Sequence, residues 1–425
     1  MSDLGVFFSA SAHVAGNEGV RATPGAPPAS GEDAPDRRVE GPAERARDVT
    51  IEVAVQEMPI HEIRTGGGAQ IDNQRSEAHV LFGYGDRSFL GGLRHFDARI
   101  QPGIVFLPSF FQRDVLSPGG TAEVVFRQPS FLEEYLMLTA RAGYRLDVEL
   151  GYRSHGVTAN LGLARKFLGW LSVAAGITAD FYHFYNVSSA LSIPSSKSLG
   201  LGFRPQYLLT FFEQSLTADL RDSTFDARNG FFAQATAQES AWWIGSDFSY
   251  VKLVGDMRGY WTPWRPLTLA LRFKYGQTFA AAGDETPMPA RFLGGGLSDH
   301  RGFAAQRMGP YLCRADDGTT VLRRSAEPCV GGLERRVAVG GNVQLLASAE
   351  LRWYLPANFG LVAFSDVGEI WSTAGDVDLA DLNVAVGPGF RYYTPFGPIR
   401  ADFGLLLDGP RRPSLVFHFS IGQAF

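Results

Sequence analysis

Along most of this chain, apolar residues alternate with small or polar ones at period two. That alternation places the two sets on opposite faces of extended strands. Segments of this kind include Thr121-Ala-Glu-Val-Val-Phe-Arg127, Leu171-Ser-Val-Ala-Ala-Gly-Ile-Thr178, Leu267-Thr-Leu-Ala-Leu-Arg-Phe-Lys-Tyr275 and Leu345-Leu-Ala-Ser-Ala-Glu-Leu-Arg-Trp-Tyr354. Turn signals punctuate them, among them Pro118-Gly-Gly, Pro263, Pro356 and Pro395-Phe-Gly-Pro398. The pattern runs from about Arg64 to the end, and no amphipathic helix of useful length interrupts it. In the last segment, Ser414 to Phe425, residues Phe417, Phe419, Ile421 and Phe425 share one face. His418, Ser420 and Gly422 share the other. Taken alone, that segment fits the closing strand of a soluble sandwich as well as that of a membrane barrel.

Bulk hydropathy, with a mean of −0.05, looks soluble, but other features of the composition fit the barrel. No apolar run reaches the ~18 residues that a transmembrane helix needs. Yet the 425 residues include 49 Gly, 32 Phe, 14 Tyr and 7 Trp. Glycine and aromatics in this abundance suit a β-barrel, whose strands cross a bilayer in about 9–11 residues. At about 20–25 residues per strand and turn, the repeating region holds about 16 strands. Charges within the strands, such as Glu123, Arg141, Arg272 and Glu350, fall on the less apolar face. In a barrel they line a wet lumen, because a basic side chain facing lipid at midplane costs about 2–4 kcal/mol. Tyr and Trp cluster near strand ends (Trp242-Trp243, Tyr260-Trp261, Trp264, Trp353-Tyr354, Tyr392-Tyr393), as interfacial girdles do. The net charge of −5 argues against nucleic acid as a partner.

The two cysteines, Cys313 and Cys329, share one polar stretch. The expectation is a disulfide that closes a surface loop facing an oxidising space. Without nearby paired ligands they make a poor zinc site. Residues 16–48 are rich in Gly, Pro, Ala, Glu and Arg and read as a disordered insertion. Two strand-like pieces flank it, Gly5 to Val14 and Val49 to Glu57, and the two suit pairing as a small sheet. Leu4 to Ala15 is mildly apolar but lacks a basic n-region, so no secretory signal is read there. An exported barrel requires one, and the expectation is that the chain starts inside a longer natural protein.

Several segments, in order, resemble the BamA/TamA superfamily of outer-membrane assembly barrels. Phe292-Leu-Gly-Gly-Gly-Leu-Ser-Asp-His-Arg-Gly-Phe303 is similar to that family's Arg-Gly-Phe loop. Ala363-Phe-Ser-Asp-Val-Gly-Glu-Ile-Trp371 resembles its Phe-x-Asp-x-Gly-x-x-Trp strand, and Gly397-Pro-Ile-Arg-Ala-Asp-Phe-Gly404 its penultimate strand. The Phe-terminated last strand is a further match. Asp219-Leu-Arg-Asp222 with Asp226-Ala-Arg-Asn-Gly-Phe231, and Ser88-Phe-Leu-Gly-Gly-Leu-Arg94, resemble further family segments. The resemblance covers about Arg64 to Phe425. The flanking pieces Leu4 to Val14 and Val49 to Glu57 resemble the last two strands of a POTRA domain, the family's periplasmic module, without its preceding strand and helices.

The resemblance implies an all-β transmembrane fold: an antiparallel outer-membrane β-barrel of about 16 strands over 61–425, after a partial POTRA-like segment over 1–60. A long extracellular loop, about 280–340, folds into the lumen. The loop motif Arg301, Gly302 and Phe303 is expected at its tip. Arg301 is expected to pair with Asp366, with Glu350 as a second candidate, since a guanidinium forks two hydrogen bonds to a carboxylate. Gly302 would turn the backbone sharply, and Phe303 would wedge into the wall.

Thr65-Gly66-Gly67-Gly68 opens the first barrel strand, and glycine weakens strand pairing. With Gly422 and Phe425 at the other edge, these residues mark a lateral seam. An exposed strand edge templates an incoming strand. The implied function is insertion and folding of β-barrel clients into the bacterial outer membrane. The implied partners are the lipid bilayer, unfolded outer-membrane β-barrel clients and periplasmic accessory proteins. The alternative is a pore that exports a partner polypeptide, as a related branch of the family does; a passive porin fits less well, because the loop would plug it. No cofactor, metal or catalytic group is expected. Ser298-Asp299-His300 contains triad residue types, but adjacent residues do not form the relay geometry. There is no Gly-x-Ser-x-Gly elbow and no Walker A segment, and the eight histidines are scattered.

Overall fold

The computed structural model describes residues 7–15, 50–57, 59–71, 76–108, 113–149, 152–188, 191, 201–224, 226–281, 284–314, 320–327, 329, 336–394, 397–407 and 414–421. The chain forms two compact units, 1–60 and 61–425. In the first, Phe7–Ala15 pairs antiparallel with Thr50–Glu57, with Val14 opposite Ile51.

In the second unit the period-two alternation becomes one sheet of sixteen strands, each hydrogen-bonded to its sequence neighbours. They are β1 His61–Ile71, β2 Ser76–Asp86, β3 His95–Pro108, β4 Arg113–Gln128, β5 Leu136–Val148, β6 Arg153–Lys166, β7 Leu171–Tyr185 and β8 Gln206–Asp219. The second half comprises β9 Gly230–Ser240, β10 Tyr250–Trp264, β11 Leu267–Ala280, β12 Val343–Tyr354, β13 Phe359–Trp371, β14 Asn383–Thr394, β15 Gly397–Leu406 and β16 Ser414–Ile421. The strand count and antiparallel order expected from the alternation are borne out. β1 and β16, the two edges, approach each other. No hydrogen-bonded ladder joins them among the described residues.

The alternation also sets the faces. Along β13, Phe359, Leu361 and Ala363 are exposed outward, while Val362, Phe364 and Asp366 are buried inward. On β16, Leu415, Phe417 and Phe419 point outward and His418 is buried. Trp261, Trp264, Trp353 and Phe359 form an exposed aromatic band at one rim. The connections at that rim are short, for example 167–170, 265–266 and 355–358. Trp242 and Trp243 lie at the opposite rim, in a 3-10 turn, and are also exposed. That second rim carries the long connections, 186–205 and 281–342.

The 281–342 connection has its own structure. Tyr311–Arg314 pairs with both Thr320–Arg323 and Arg336–Ala338. Leu312, Val337 and Val339 join an apolar cluster with Phe184, Phe203, Tyr207 and Phe248, which packs the loop-bearing end of the barrel. A second cluster, Phe292, Phe303, Met308, Leu346, Ile370, Ala385 and Leu406, lies between the loop and the walls of β12 to β15.

Candidate functional site

The loop enters the lumen as a narrow hairpin. Gly294 and Met308 exchange both backbone hydrogen bonds at 2.9 Å, and Gly296 N–H donates to Phe303 O at 2.8 Å. Gly295 and Gly296 have φ of +98° and +91°, a backbone that side-chain-bearing residues rarely adopt. A Cβ at Gly295 would lie 2.3 Å from Ala304 O. These glycines therefore make the turn that carries residues 297–303 to the tip.

Arg301 is at that tip and only 2% exposed. Its Nε–H and one terminal N–H donate to the two oxygens of Asp366, each at 2.7 Å. A second terminal nitrogen donates to Glu350 Oε1 at 2.6 Å, and the guanidinium also reaches Ser348 Oγ at 3.2 Å. Its backbone N–H donates to Asp366 Oδ2 at 2.9 Å. The guanidinium carbon lies 3.5 Å from the ring centroid of Phe364, a cation–π contact. Strand register explains the convergence. Ser348 stands opposite Asp366 and Glu350 opposite Phe364 across β12 and β13, so all four share the inward face.

Further groups complete the seat. Asp402 on β15 is fully buried, holds Arg391 in a two-pronged pair, and lies 3.8 Å from Arg301. Glu350 also accepts from Arg352 Nε at 2.8 Å. On the edge strand β16, His418 Nε2–H donates to the backbone oxygen of Arg301 at 3.0 Å. A Cβ at Gly404 would lie 2.1 Å from that same oxygen, so only glycine lets β15 come so close. Asp402, His418, Ser348 and Phe364 were not singled out from sequence. Asp402 and Phe364 lay within the matched family segments, and His418 on the polar face of the last strand.

Gly302 is needed for a different reason than a sharp turn. Its φ is not positive, but a Cβ there would meet Ala385 Cβ at 2.8 Å and Leu406 Cδ1 at 3.0 Å. Close packing against β14 and β15, not backbone conformation, excludes a side chain. Phe303 is buried in the second apolar cluster and meets the His300 ring edge-on at 5.2 Å.

His300 is fully buried. Its Nε2–H donates to Asn383 O at 3.0 Å, and its Nδ1 accepts from Gly302 N–H at 3.2 Å. Both nitrogens are therefore committed in the neutral tautomer. Burial pushes the imidazole below its ordinary value of 6.5, against the opposing pull of the Asn383 carbonyl and the Asp366 charge. Arg291, also in the loop, donates to the carbonyls of Val339 and Gly340 at 2.9 Å each. Burial alone lowers its pKa to about 10.

The other residues singled out from sequence lie elsewhere. Gly66, Gly67 and Gly68 are in β1, opposite Leu81, Val80 and His79. Gly422 and Phe425 fall outside the described residues. Cys313 and Cys329 are joined by a disulfide, with Cα atoms 5.7 Å apart, in the outer part of the 281–342 connection. Among the described residues no group of His, Cys, Asp and Glu is arranged to hold a metal ion.

Residues 120–425 match the family model described as the Omp85 superfamily domain. A stretch of 215 residues is 24% identical to the outer membrane protein assembly factor BamA of Nitratidesulfovibrio vulgaris, covering 49% of this chain and 25% of that protein. The chain thus spans about a quarter of the length of that relative. Among solved structures, BamA from Haemophilus ducreyi lacking POTRA domains 1-3 superposes with a TM-score of 0.69 at 14% identity, covering 99% of this chain and 76% of that one. CdiB from Acinetobacter baumannii superposes with a TM-score of 0.54 at 12% identity, covering 87% and 61%. CdiB from Escherichia coli gives 0.51 at 14%, covering 87% and 64%. The solved structures share the barrel fold, and with most of its length matched by the family model the chain belongs to the Omp85 superfamily of outer-membrane barrels.

Proposed function

We propose that this barrel inserts and folds β-barrel client proteins into the outer membrane through a lateral seam between β1 and β16. One observation carries the reading. The edge strand β16 is fastened through His418 to the backbone of Arg301, whereas no ladder joins it to β1 among the described residues. Among the described residues, one side of the seam is therefore held by the lumen loop and the other is not. The Gly66-Gly67-Gly68 run lowers the intrinsic strand stability of β1 on the other side of the seam. A strand edge freed in this way offers backbone donors and acceptors to an incoming strand. The buried seat of Arg301 keeps the lumen-side geometry of β12 to β16 constant while the edge opens.

The hairpin of Phe7–Ala15 and Thr50–Glu57 is read as the end of a POTRA-like module on the periplasmic side, where clients and accessory proteins would be received. The likeness to proteins named BamA supports assembly over polypeptide export.

The test uses proteoliposomes containing the chain and a small unfolded outer-membrane barrel as client. Folding faster than in empty liposomes is expected. A bismaleimide link between one cysteine engineered in β1 and one in β16 should abolish the acceleration. A His418→Ala change, which frees β16 from the loop, should lower it several-fold while the barrel stays folded. Acceleration that survives the cross-link would reject the seam. Absence of acceleration by a folded barrel would favour export of a partner polypeptide.

A further inference from the structure

Strand register lays out the outward face of β5 to β8 in rows. Tyr144, Val157, Phe181 and Leu208 stand side by side across the four strands, and all four are exposed. This is the apolar surface that a lipid-facing wall requires. Two residues on, about 7 Å closer to the rim of the long connections, the face changes character. The row there is Leu146, His155, His183 and Gln206. Beyond it, Arg153 stands opposite Tyr185. Residues two apart on a strand share a face, so these polar side chains point the same way as the apolar row beneath them.

The polar groups are close together. The His155 ring centroid lies 4.9 Å from that of His183, 5.9 Å from Tyr185 and 6.1 Å from Tyr144. The acids of the same strands are turned away: Asp147 stands opposite Ser154 and Asp180 opposite Thr158, both on the inward face. Asp247, at the far edge of the rows, accepts from the backbone N–H of Leu208 at 2.7 Å. Among the described residues, no carboxylate pairs with Arg153, and no side-chain hydrogen bond engages His155 or His183. The cluster thus gathers a guanidinium, two imidazoles, an amide and a phenol, all able to donate, with no anion to receive them. Polar groups held at a lipid-facing rim are costly unless something at that depth hydrogen-bonds them.

We propose that this strip of β5 to β8 binds a phosphate-bearing lipid. The headgroup phosphate meets Arg153, His155 and His183, and the acyl chain lies along Tyr144, Val157, Phe181 and Leu208. A guanidinium forks onto phosphate oxygens through paired N–H donors, and the imidazoles and Gln206 supply further donors to the same group. The polar row and the apolar row are continuous on one face, which matches an amphiphile; a free anion would use only the first. The site is on the outer surface, away from the Arg301 seat, and does not depend on whether the seam inserts clients.

The experiment measures how much dioleoyl phosphatidic acid the folded chain retains from mixed detergent micelles, by quantifying the lipid that co-elutes on gel filtration. Dioleoylglycerol, the same acyl chains without phosphate, is the comparison lipid. Retention of phosphatidic acid about fivefold above that of dioleoylglycerol is expected. Arg153→Gln, and His155→Ala combined with His183→Ala, should each remove most of that excess, while Arg99→Gln, in the lumen, leaves it unchanged. Arg153→Lys keeps the charge but loses the fork, and should lower retention even if the glutamine variant fails to fold. Equal retention of the two lipids, or equal retention by Arg153→Lys and Arg99→Gln, would overturn the proposal. Displacement of the bound lipid by excess inorganic phosphate at constant ionic strength would also overturn it, by showing a site for the free anion.

Discussion

The two halves of the barrel wall handle charge in opposite ways. On β1 to β4, ion pairs line an open lumen: Arg64 and Arg127 share Asp97, and Arg99 pairs with Glu123. Arg99 is half exposed. On β12 to β15, Arg301 and Arg391 meet Asp366, Glu350 and Asp402 in a buried seat beneath the loop. Exposed pairs contribute about 0–1 kcal/mol, because water and salt screen them. A buried pair costs much to desolvate, so breaking it by removing one partner costs about 3–5 kcal/mol. The difference is that the buried wall registers a loop at a fixed position, while the wet wall keeps a lumen hydrated. Charge on the inner face of a barrel acquires a structural role only where another segment excludes the water.

The largest effect that would break this contrast is at Arg301. Arg301→Ala leaves Asp366 buried without its cation and Glu350 with Arg352 alone, and should destabilise loop docking by about 3–5 kcal/mol. Limited proteolysis within 294–308 should accelerate while the heat-modifiable mobility of the barrel persists. An unchanged cleavage rate would show that the seat does not hold the loop.

The disulfide is expected to come next. The Cys313–Cys329 bond spans a separation of 16 residues, for which chain entropy gives about 3 kcal/mol. The double Ser variant should loosen the outer part of the loop, read by hydrogen exchange over 311–323, and leave β12 to β15 protected. Loss of protection in those strands would mean that the loop and the wall fold as one unit.

A smaller effect is expected with pH. His300 is held neutral below its ordinary 6.5 by burial, with Asn383 O and Gly302 N–H as partners and Asp366, Arg301 and Phe303 around it. The unfolded loop binds the extra proton first as pH falls. Docking stability is therefore complete above pH 6.5 and declines as pH drops through the lowered folded-state value. Exchange at 297–303, corrected for intrinsic rate, should be faster at pH 5 than at pH 7.5, and His300→Asn should flatten the difference. A pH-independent rate in the parent chain would contradict the neutral assignment.

The smallest effect is on the wet wall. Arg99→Ala should change stability by at most about 1 kcal/mol, measured by the midpoint of urea unfolding. A loss comparable with that of Arg301→Ala would erase the distinction between the two walls.

Much of the fold was legible in the residues. Alternation along β11, β12 and β16 reported strand, face and repeat, because side-chain direction in a strand has a strict period of two. The encounter of Arg301 with Asp366 and Glu350 was legible only through the motifs around them. Asp402 and His418 were not assigned to the site, although both were seen to lie in strands. They come to Arg301 from more than a hundred residues downstream, and nothing local in Arg-Ala-Asp-Phe or Phe-His-Phe says which loop lies above them. Gly302 was assigned a turn because glycine commonly makes one. Its packing against Ala385 and Leu406 is a property of three chain segments together.

By itself, then, the sequence determined the architecture: strands, their inward and outward faces, the aromatic rims, and a chain that needs a membrane to bury its outer surface. Only the tertiary structure decided which inward charges are buried, which carboxylates Arg301 uses, and that arginines face one another across β10–β11 and β14–β15. The physical reason is register. Faces follow from period within a strand, but partners depend on how neighbouring strands slide past each other, and a slip of one residue would replace every one of these contacts.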